Sequence, residues 1–111
     1  MIDKTRRKEL QDAYGERKAA AGIFAVRGPG LVWTSTSRDL AKAQNRVWFS
    51  LRQGGHINRE TQALWNAQGE AAFAFEILEE IATDNPEMVG LLLKEREAMW
   101  REELGARRLE G

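Results

Sequence analysis

The chain has 111 residues, of which 42% are hydrophobic, enough for one domain with a buried core. It has no cysteine and a single histidine, His56, which excludes disulfides, cysteine nucleophiles and the usual Cys/His zinc sites. A metal would therefore be held by oxygen ligands, as Mg²⁺ is. The charged start of the chain and the lack of a long apolar run predict a cytoplasmic protein without a membrane span.

The charges balance overall but are unevenly distributed. Lys and Arg equal Asp and Glu at 17 each, yet residues 1–60 carry twelve basic and six acidic side chains, and the rest carries five and eleven. Between Arg17 and Arg59, eight basic residues accompany Asp39 as the only acid. This segment can present a positive face to a polyanion. The alternative is that the two halves attract each other within one fold.

The first third of the chain predicts a helix followed by a hairpin. Residues 5–20 are rich in helix-forming side chains, so residues 1–20 are interpreted as an N-terminal helical extension. Residues 22–27 and 31–35 have the composition of strands, and Gly28-Pro29-Gly30 between them is a turn sequence. The two strands are therefore expected to pair antiparallel.

Two helices are predicted next. Ser37 is a candidate N-cap, and Gly54-Gly55 ends the first helix. Asn58 can cap a second, shorter helix that Gly69 ends. Each helix has one face suited to burial, formed by Leu40, Val47, Trp48 and Leu51 in the first and by Thr61, Leu64 and Trp65 in the second.

The last third predicts a strand and a long helix. Phe73, Phe75 and Ile77 alternate with smaller or polar residues, which is typical of a strand. A final helix should run from about Pro86 to about Leu104. Its core candidates are Met88, Leu91, Leu92 and Met99. The whole pattern predicts an α+β fold with a small three-stranded sheet, made of the N-terminal antiparallel hairpin and the later strand, flanked by helices.

Five segments in this order resemble the GIY-YIG family of nuclease domains. They are Gly22-Ile23-Phe24, residues 32–37 (VWTSTS), residues 51–58 (LRQGGHIN), residues 61–70 (TQALWNAQGE) and residues 75–80 (FEILEE). The resemblance covers residues 21–104, which are predicted to form the GIY-YIG-like domain, with residues 105–111 as a C-terminal tail. The run of residues 44–52 (QNRVWFSLR) looks more specifically like an alphaproteobacterial branch whose domains also occur attached to LuxR- and ArsR-type regulators.

The resemblance implies a catalytic site of known composition. In active members one glutamate on the last helix holds a single divalent ion, Mg²⁺ or Mn²⁺, and this position maps to Glu97. The two motif tyrosines map to Phe24 and Trp33, and a loop position often occupied by histidine maps to His56. The catalytic arginine maps to Ala43. Such a site would hydrolyse a phosphodiester, with the metal polarising the phosphoryl oxygens.

Several of these positions have lost their reactive groups. Phe24 has no hydroxyl, and the indole of Trp33 can donate a hydrogen bond but cannot act as a base. Ala43 cannot bind a phosphate, although Arg46 or Lys42 could supply the positive charge of the missing arginine. The sequence therefore predicts a degraded active site.

The two retained residues also have structural alternatives. Glu97 could be an ordinary solvated helix residue. His56 could cap a helix C-terminus or contact a phosphate, roles that we favour over that of a general base.

Three functions follow from this pattern. The first is a nucleic-acid-binding domain, with DNA favoured, that has weak or no phosphodiesterase activity. The second is a protein-interaction or regulatory module, and the third is an active Mg²⁺-dependent endonuclease that uses Glu97, so the sequence leaves open whether the protein is an enzyme. The oligomeric state is not indicated. Residues predicted to contact nucleic acid are Arg27, Ser35, Ser37, Arg38, Lys42, Arg46, Arg52 and Arg59.

Overall fold

A computed structural model describes residues 20–83 and 85–109, so the predicted N-terminal helix lies outside the described residues. The elements follow the predicted order, with one short strand added at the C-terminal end. They are β1 (Gly22–Gly28), β2 (Leu31–Ser37), α1 (Leu40–Arg52), α2 (Arg59–Gln68), a 3₁₀ helix (Glu70–Ala72), β3 (Ala74–Glu80), α3 (Pro86–Leu104) and β4 (Arg107–Arg108). The α+β prediction is confirmed, but the sheet has four strands, not three.

The sheet is mixed, with strand order β3-β1-β2-β4. The predicted hairpin is confirmed, because β1 and β2 pair antiparallel from Gly22 opposite Ser37 to Gly28 opposite Leu31. Gly30 in the turn has a φ of 75°, a conformation that favours glycine. β3 pairs antiparallel with the other edge of β1, and β4 runs parallel to β2. The central strand β1 is thus paired on both sides.

One face of the sheet packs against α1 and α2 through a cluster rich in aromatic side chains, which we call the aromatic face. Phe24 stacks on Phe75 with ring centroids 4.8 Å apart, and Trp48 meets Trp65 edge to face at 5.3 Å. The cluster's buried members are Phe24, Val26, Trp33, Leu40, Ala43, Val47, Trp48, Leu51, Trp65, Phe73 and Leu109. Offset and edge-to-face pairs add to the burial of apolar area.

The opposite face of the sheet packs against α3 through a smaller cluster that includes Ile23, Ile81 and Leu93. At the same interface, Glu79 of β3 accepts hydrogen bonds from Arg96 at 2.8 Å and Trp100 at 2.8 Å. Burial of the Glu79 carboxylate acts to raise its pKa. The hydrogen bonds and the charge of Arg96 outweigh that effect and hold the pKa below its usual value.

The predicted core residues of α3 are mostly wrong. Met88, Leu91 and Met99 are 42%, 50% and 37% exposed, whereas Leu93 and Glu97 are buried. Leu92, the fourth candidate, does pack against the smaller cluster. The helix turns the rows 89, 93, 97 and 92, 96, 100 toward the sheet, and these rows contain the polar residues Arg96 and Glu97. A search for apolar residues alone could not find this face.

Two asparagine side chains cap helices of the domain. Asn58 caps α2 by accepting from the Thr61 N–H at 3.0 Å, as predicted. Asn85 caps α3 in the same way. Ser37 is not the N-cap of α1. Its hydroxyl accepts from the Asp39 N–H at 3.0 Å, and the helix begins at Leu40 with Asp39 at the cap position.

Gly22 of the first family-like segment lies against the backbone of β3. A Cβ atom at this position would lie 2.1 Å from the carbonyl oxygen of Glu79 and 2.6 Å from Leu40 Cδ1. The strand contact therefore requires glycine here. Within residues 20–83 and 85–109, no helix is both long enough and apolar enough to cross a bilayer.

Candidate functional site

A cleft of about 690 Å³ opens between the C-terminal half of β2 and α3. Its lining includes four basic side chains and one acidic side chain, and hydroxyl groups from β2 supply most of the remaining polar atoms. The lining residues are Thr34, Ser35, Thr36, Ser37, Arg38, Arg46, Gly90, Leu93, Lys94, Glu97 and Arg108. The cleft is therefore polar and mainly cationic.

The cleft exists because β4 covers only part of the outer edge of β2. β4 pairs with Trp33 and Thr34, and the Leu109 N–H donates to the Thr34 carbonyl at 2.9 Å. The hydrogen-bonding direction of the backbone alternates along a strand, so Thr36 directs its N–H and C=O to the same edge as Thr34. That edge borders the cleft beyond the end of β4.

Glu97 is the acid of the cleft and is 7% exposed. The Thr34 hydroxyl donates to its Oε2 at 2.7 Å, and Arg101 Nη1 lies 3.6 Å from its Oε1. The hydrogen bond fixes the orientation of the carboxylate. Glu97 is thus a fixed anion within a group of cations.

The cleft does not form a complete metal site. Among the residues that the structure describes, Glu97 is its only carboxylate, and Arg101 competes with any cation for one of the carboxylate oxygens. No group of three or more His, Cys, Asp or Glu side chains that could hold a metal occurs in the described part of the chain. One carboxylate holds a mostly hydrated Mg²⁺ weakly, and phosphate oxygens would have to supply further ligands. The described residues of the cleft therefore supply a metal ion with one carboxylate ligand and not with a complete set.

Comparison with known proteins adds the family. No protein-family model and no curated protein matches the chain. Two solved structures of the catalytic domain of the homing endonuclease I-TevI do match. One shares 30% identity with a TM-score of 0.65, covering 77% of this chain and 88% of that domain. The chain belongs to the GIY-YIG nuclease family.

The other structure is a point mutant of the I-TevI catalytic domain. It shares 27% identity with a TM-score of 0.66, covering 78% of this chain and 84% of that domain. The fold is thus similar to a GIY-YIG endonuclease domain over most of the length of both chains.

Phe24 and Trp33, which the sequence maps to the two GIY-YIG tyrosine positions, are packed in the aromatic cluster and do not line the cleft. Phe24 is 2% exposed and packs in the aromatic cluster. Trp33 is fully buried, and its Nε1 donates to Glu60 Oε1 at 3.1 Å. Successive residues of a strand point to opposite faces, so Trp33 and Thr34 lie on different sides of the sheet. The structure does not bring either aromatic residue to Glu97.

Ala43, which the sequence maps to the position of the family's catalytic arginine, is also part of the aromatic cluster. Ala43 and Val47 are buried on the inner side of α1. Arg46, on an exposed row of the same helix, is the residue of α1 that reaches the cleft.

His56 is buried in the loop between α1 and α2 and does not line the cleft. Its Nδ1 accepts from the Asn58 N–H at 3.0 Å, and its own N–H donates to Gln62 Oε1 at 3.0 Å. Gln62 in turn donates to the Leu51 carbonyl at 2.9 Å. A neutral His56 ring with this bond carries its proton on Nε2. The hydrogen bonds join the loop to both helices.

Four of the predicted nucleic-acid contacts come together in the cleft, namely Ser35, Ser37, Arg38 and Arg46. The other predicted contacts lie elsewhere. Lys42 Nζ is 4.0 Å from Oδ2 of Asp39 at the N-cap position of α1, and Arg59 is exposed at the start of α2.

Two of those remaining arginines are engaged with acids. Arg27 pairs with Glu76 at 3.3 Å. Arg52 donates two hydrogen bonds to Glu70, at 2.7 and 2.8 Å, and they lower the pKa of that carboxyl. Their charge is already balanced by a neighbour.

Sequence reasoning missed three residues of the cleft. Lys94 precedes Glu97 by three residues and so lies on the same side of α3. That spacing could have found it. Thr34 adjoins Trp33 in the family-like segment, but its importance depends on the contact with Glu97. Arg108 is placed by β4, for which the sequence gives no signal.

Proposed function

We propose that this GIY-YIG domain binds nucleic acid, with DNA favoured, in the cleft around Glu97, and has weak or no phosphodiesterase activity. The observation that carries the proposal is a set of four cations around one cleft. Within residues 20–83 and 85–109, none of Arg38, Arg46, Lys94 and Arg108 forms an ion pair. Arg27 and Arg52, outside the cleft, both do.

The geometry suits a phosphate backbone. Arg38 and Arg46 border the cleft from the α1 side, Lys94 from α3 and Arg108 from β4. The hydroxyls of β2 add neutral donors between them. Such contacts hold a nucleic acid in position without reading its sequence, so the binding should be weakly sequence-specific. The affinity should fall steeply with salt, because each bound phosphate releases counterions.

The side chains of the aromatic face support the proposal of weak or no activity. Phe24 and Trp33 lack hydroxyls and are packed in the core, so neither can move a proton near Glu97. General acid–base assistance is worth about 10²–10⁴-fold in rate. A site without these groups would cleave slowly if it cleaves at all.

The test compares one cleft arginine with one paired arginine on the same helix. Binding of fluorescent duplex DNA, single-stranded DNA and RNA is measured by anisotropy over a range of salt concentrations. Arg46→Ala should weaken DNA binding and reduce the salt slope by about 1. Arg52→Ala is the matched control, and it should change the affinity less than Arg46→Ala. Equal losses for the two variants, or no binding by the wild type at low salt, would contradict the proposal.

The second candidate is an active endonuclease, and the position of Glu97 favours it. GIY-YIG nucleases typically use one divalent metal. Glu97 would be the protein ligand of a Mg²⁺ or Mn²⁺ ion that gains further ligands from the substrate's phosphates. Glu97→Gln keeps an acceptor for the Thr34 hydroxyl but removes the charge. Metal-dependent cleavage by the wild type that disappears in this variant would establish the nuclease, and equal background cleavage would exclude it.

The remaining predictions gain no further support. The alphaproteobacterial branch stays a prediction, because both matching structures are of the I-TevI domain. A protein-interaction module would be favoured by a stable fold that binds none of the three nucleic acids.

A further inference from the structure

We infer that Glu60 is a positioning residue that fixes β4 and thereby holds Arg108 in the cleft. The inference rests on the proposed nucleic-acid binding and assigns part of it to a residue outside the cleft. Glu60 lies in the first turn of α2 and does not line the cleft. Its effect on binding would therefore pass through Arg108.

β4 is held by few contacts. It pairs with two residues of β2, and Leu109 after it is buried in the aromatic cluster. Asn58 Nδ2 donates to the Arg108 carbonyl at 3.1 Å, and Arg107 donates a hydrogen bond to Glu60 Oε2. Strands this short are not stable by themselves, so side-chain contacts decide whether the segment stays on the sheet.

Glu60 joins three elements through one carboxylate. Its Oε1 accepts from Trp33 Nε1 of β2 at 3.1 Å, and its Oε2 accepts from Arg107 of β4. Trp33 is fully buried, so its indole fixes where the carboxylate sits. The carboxylate in turn fixes Arg107.

Arg107 and Arg108 are adjacent on a strand and point to opposite sides of it. Arg107 is directed to Glu60, and Arg108 consequently faces the cleft. The ion pair thus selects which of two neighbouring arginines can meet a phosphate.

The direction in which DNA affinity changes when Glu60 is replaced distinguishes a positioning role from a purely electrostatic one. Removal of an acid near a bound polyanion strengthens binding if the acid acts only through its field. Loss of a positioning acid has the opposite effect, because Arg108 becomes mobile and must be ordered when it binds. Glu60→Gln keeps an acceptor for Trp33 Nε1 and removes the charge that pairs with Arg107.

The experiment measures DNA affinity and its salt dependence for the wild type, Glu60→Gln, Arg108→Ala and the double variant. Glu103→Gln is the matched control, an exposed glutamate of α3 with no ion pair to residues 20–83 or 85–109. We expect Glu60→Gln to weaken binding about threefold or more, and Arg108→Ala to do the same and lower the salt slope by about 1. The double variant should bind no more weakly than Arg108→Ala alone, and Glu103→Gln should bind as tightly as the wild type or slightly more tightly.

Tighter or unchanged binding by Glu60→Gln, or effects of the two variants that add in full, would overturn the inference. A second measurement needs no ligand. Hydrogen exchange of the Leu109 amide, which donates to Thr34, should be faster in Glu60→Gln than in Glu103→Gln. If the wild type binds no nucleic acid, the proposed function and the binding role of Glu60 fail together. Faster exchange in Glu60→Gln would then leave the anchoring of β4 established as a structural contact only.

Discussion

The aromatic cluster and the cleft have opposite characters. On the aromatic face, Phe24, Trp33, Ala43 and Val47 are buried together in a cluster of aromatic and aliphatic side chains. Near the end of β2, a buried carboxylate and cations that form no ion pair with the described residues surround an open cleft. Phe24, Trp33 and Ala43, which the sequence maps to catalytic positions of the family, are part of the core here. The positions suited to phosphate contact remain open. Stability and ligand recognition should therefore respond to different substitutions.

The largest expected effect is on the aromatic face. Trp33→Ala would remove a fully buried indole and its hydrogen bond to Glu60 Oε1. Replacing a large buried aromatic residue by alanine costs about 3–5 kcal/mol of unfolding free energy. Urea unfolding followed by circular dichroism measures the loss.

The cleft supplies the control for this substitution. Arg38→Ala, at an exposed residue that lines the cleft, should change stability by no more than about 0.5 kcal/mol. If the two variants lost similar amounts, the division of the molecule into a stabilising face and a recognition cleft would be wrong.

A smaller effect is expected when a tyrosine is restored. Phe24→Tyr would place a hydroxyl in a site that is 2% exposed and stacked on Phe75. A buried hydroxyl without a partner costs about 1–3 kcal/mol, so the variant should be less stable and should gain no cleavage activity. Thermal unfolding and a plasmid-nicking assay test both parts. Unchanged stability together with new activity would show that this side chain does reach the cleft.

The smallest effect on stability is expected near the cleft, where a substitution should stabilise the fold. Gly90 is within α3, where glycine is less favourable than alanine by about 1 kcal/mol. A Cβ there would lie 3.3 Å from Arg38 Nη2, the far end of a flexible side chain that can move away. Gly90→Ala should therefore raise the melting temperature slightly. A clear loss of stability would show that Arg38 is rigidly held against α3.

Much of the fold could be predicted from local sequence. The Gly-Pro-Gly turn, the cap at Asn58 and the start of α3 at Pro86 depend on residues close together in the chain, and the structure has all three. The orientation of α3 depends on distant partners, because Glu97 is buried against Thr34, 63 residues away. β4 has only two residues, too few for any periodic pattern.

The candidate site, too, could be predicted only in part from local sequence. An excess of basic residues predicts a cationic surface but not which cations are free. Arg27 and Arg52 are paired with Glu76 and Glu70, which lie 49 and 18 residues away. Arg38 and Arg46 have no such partner among the described residues. Only the tertiary fold distinguishes the two arginines that form ion pairs from the two that do not.

The partial cover of β2 by β4 has a consequence for association between copies of the chain. An uncovered strand edge is a template for pairing with a strand of another molecule, which leads to aggregation. Beyond Thr34 this edge is flanked by Arg38, Arg46 and Lys94. Two such edges would bring six positive charges together, so they should repel each other. The side chains that we assign to phosphate recognition would also keep the protein from self-assembly when no nucleic acid is bound.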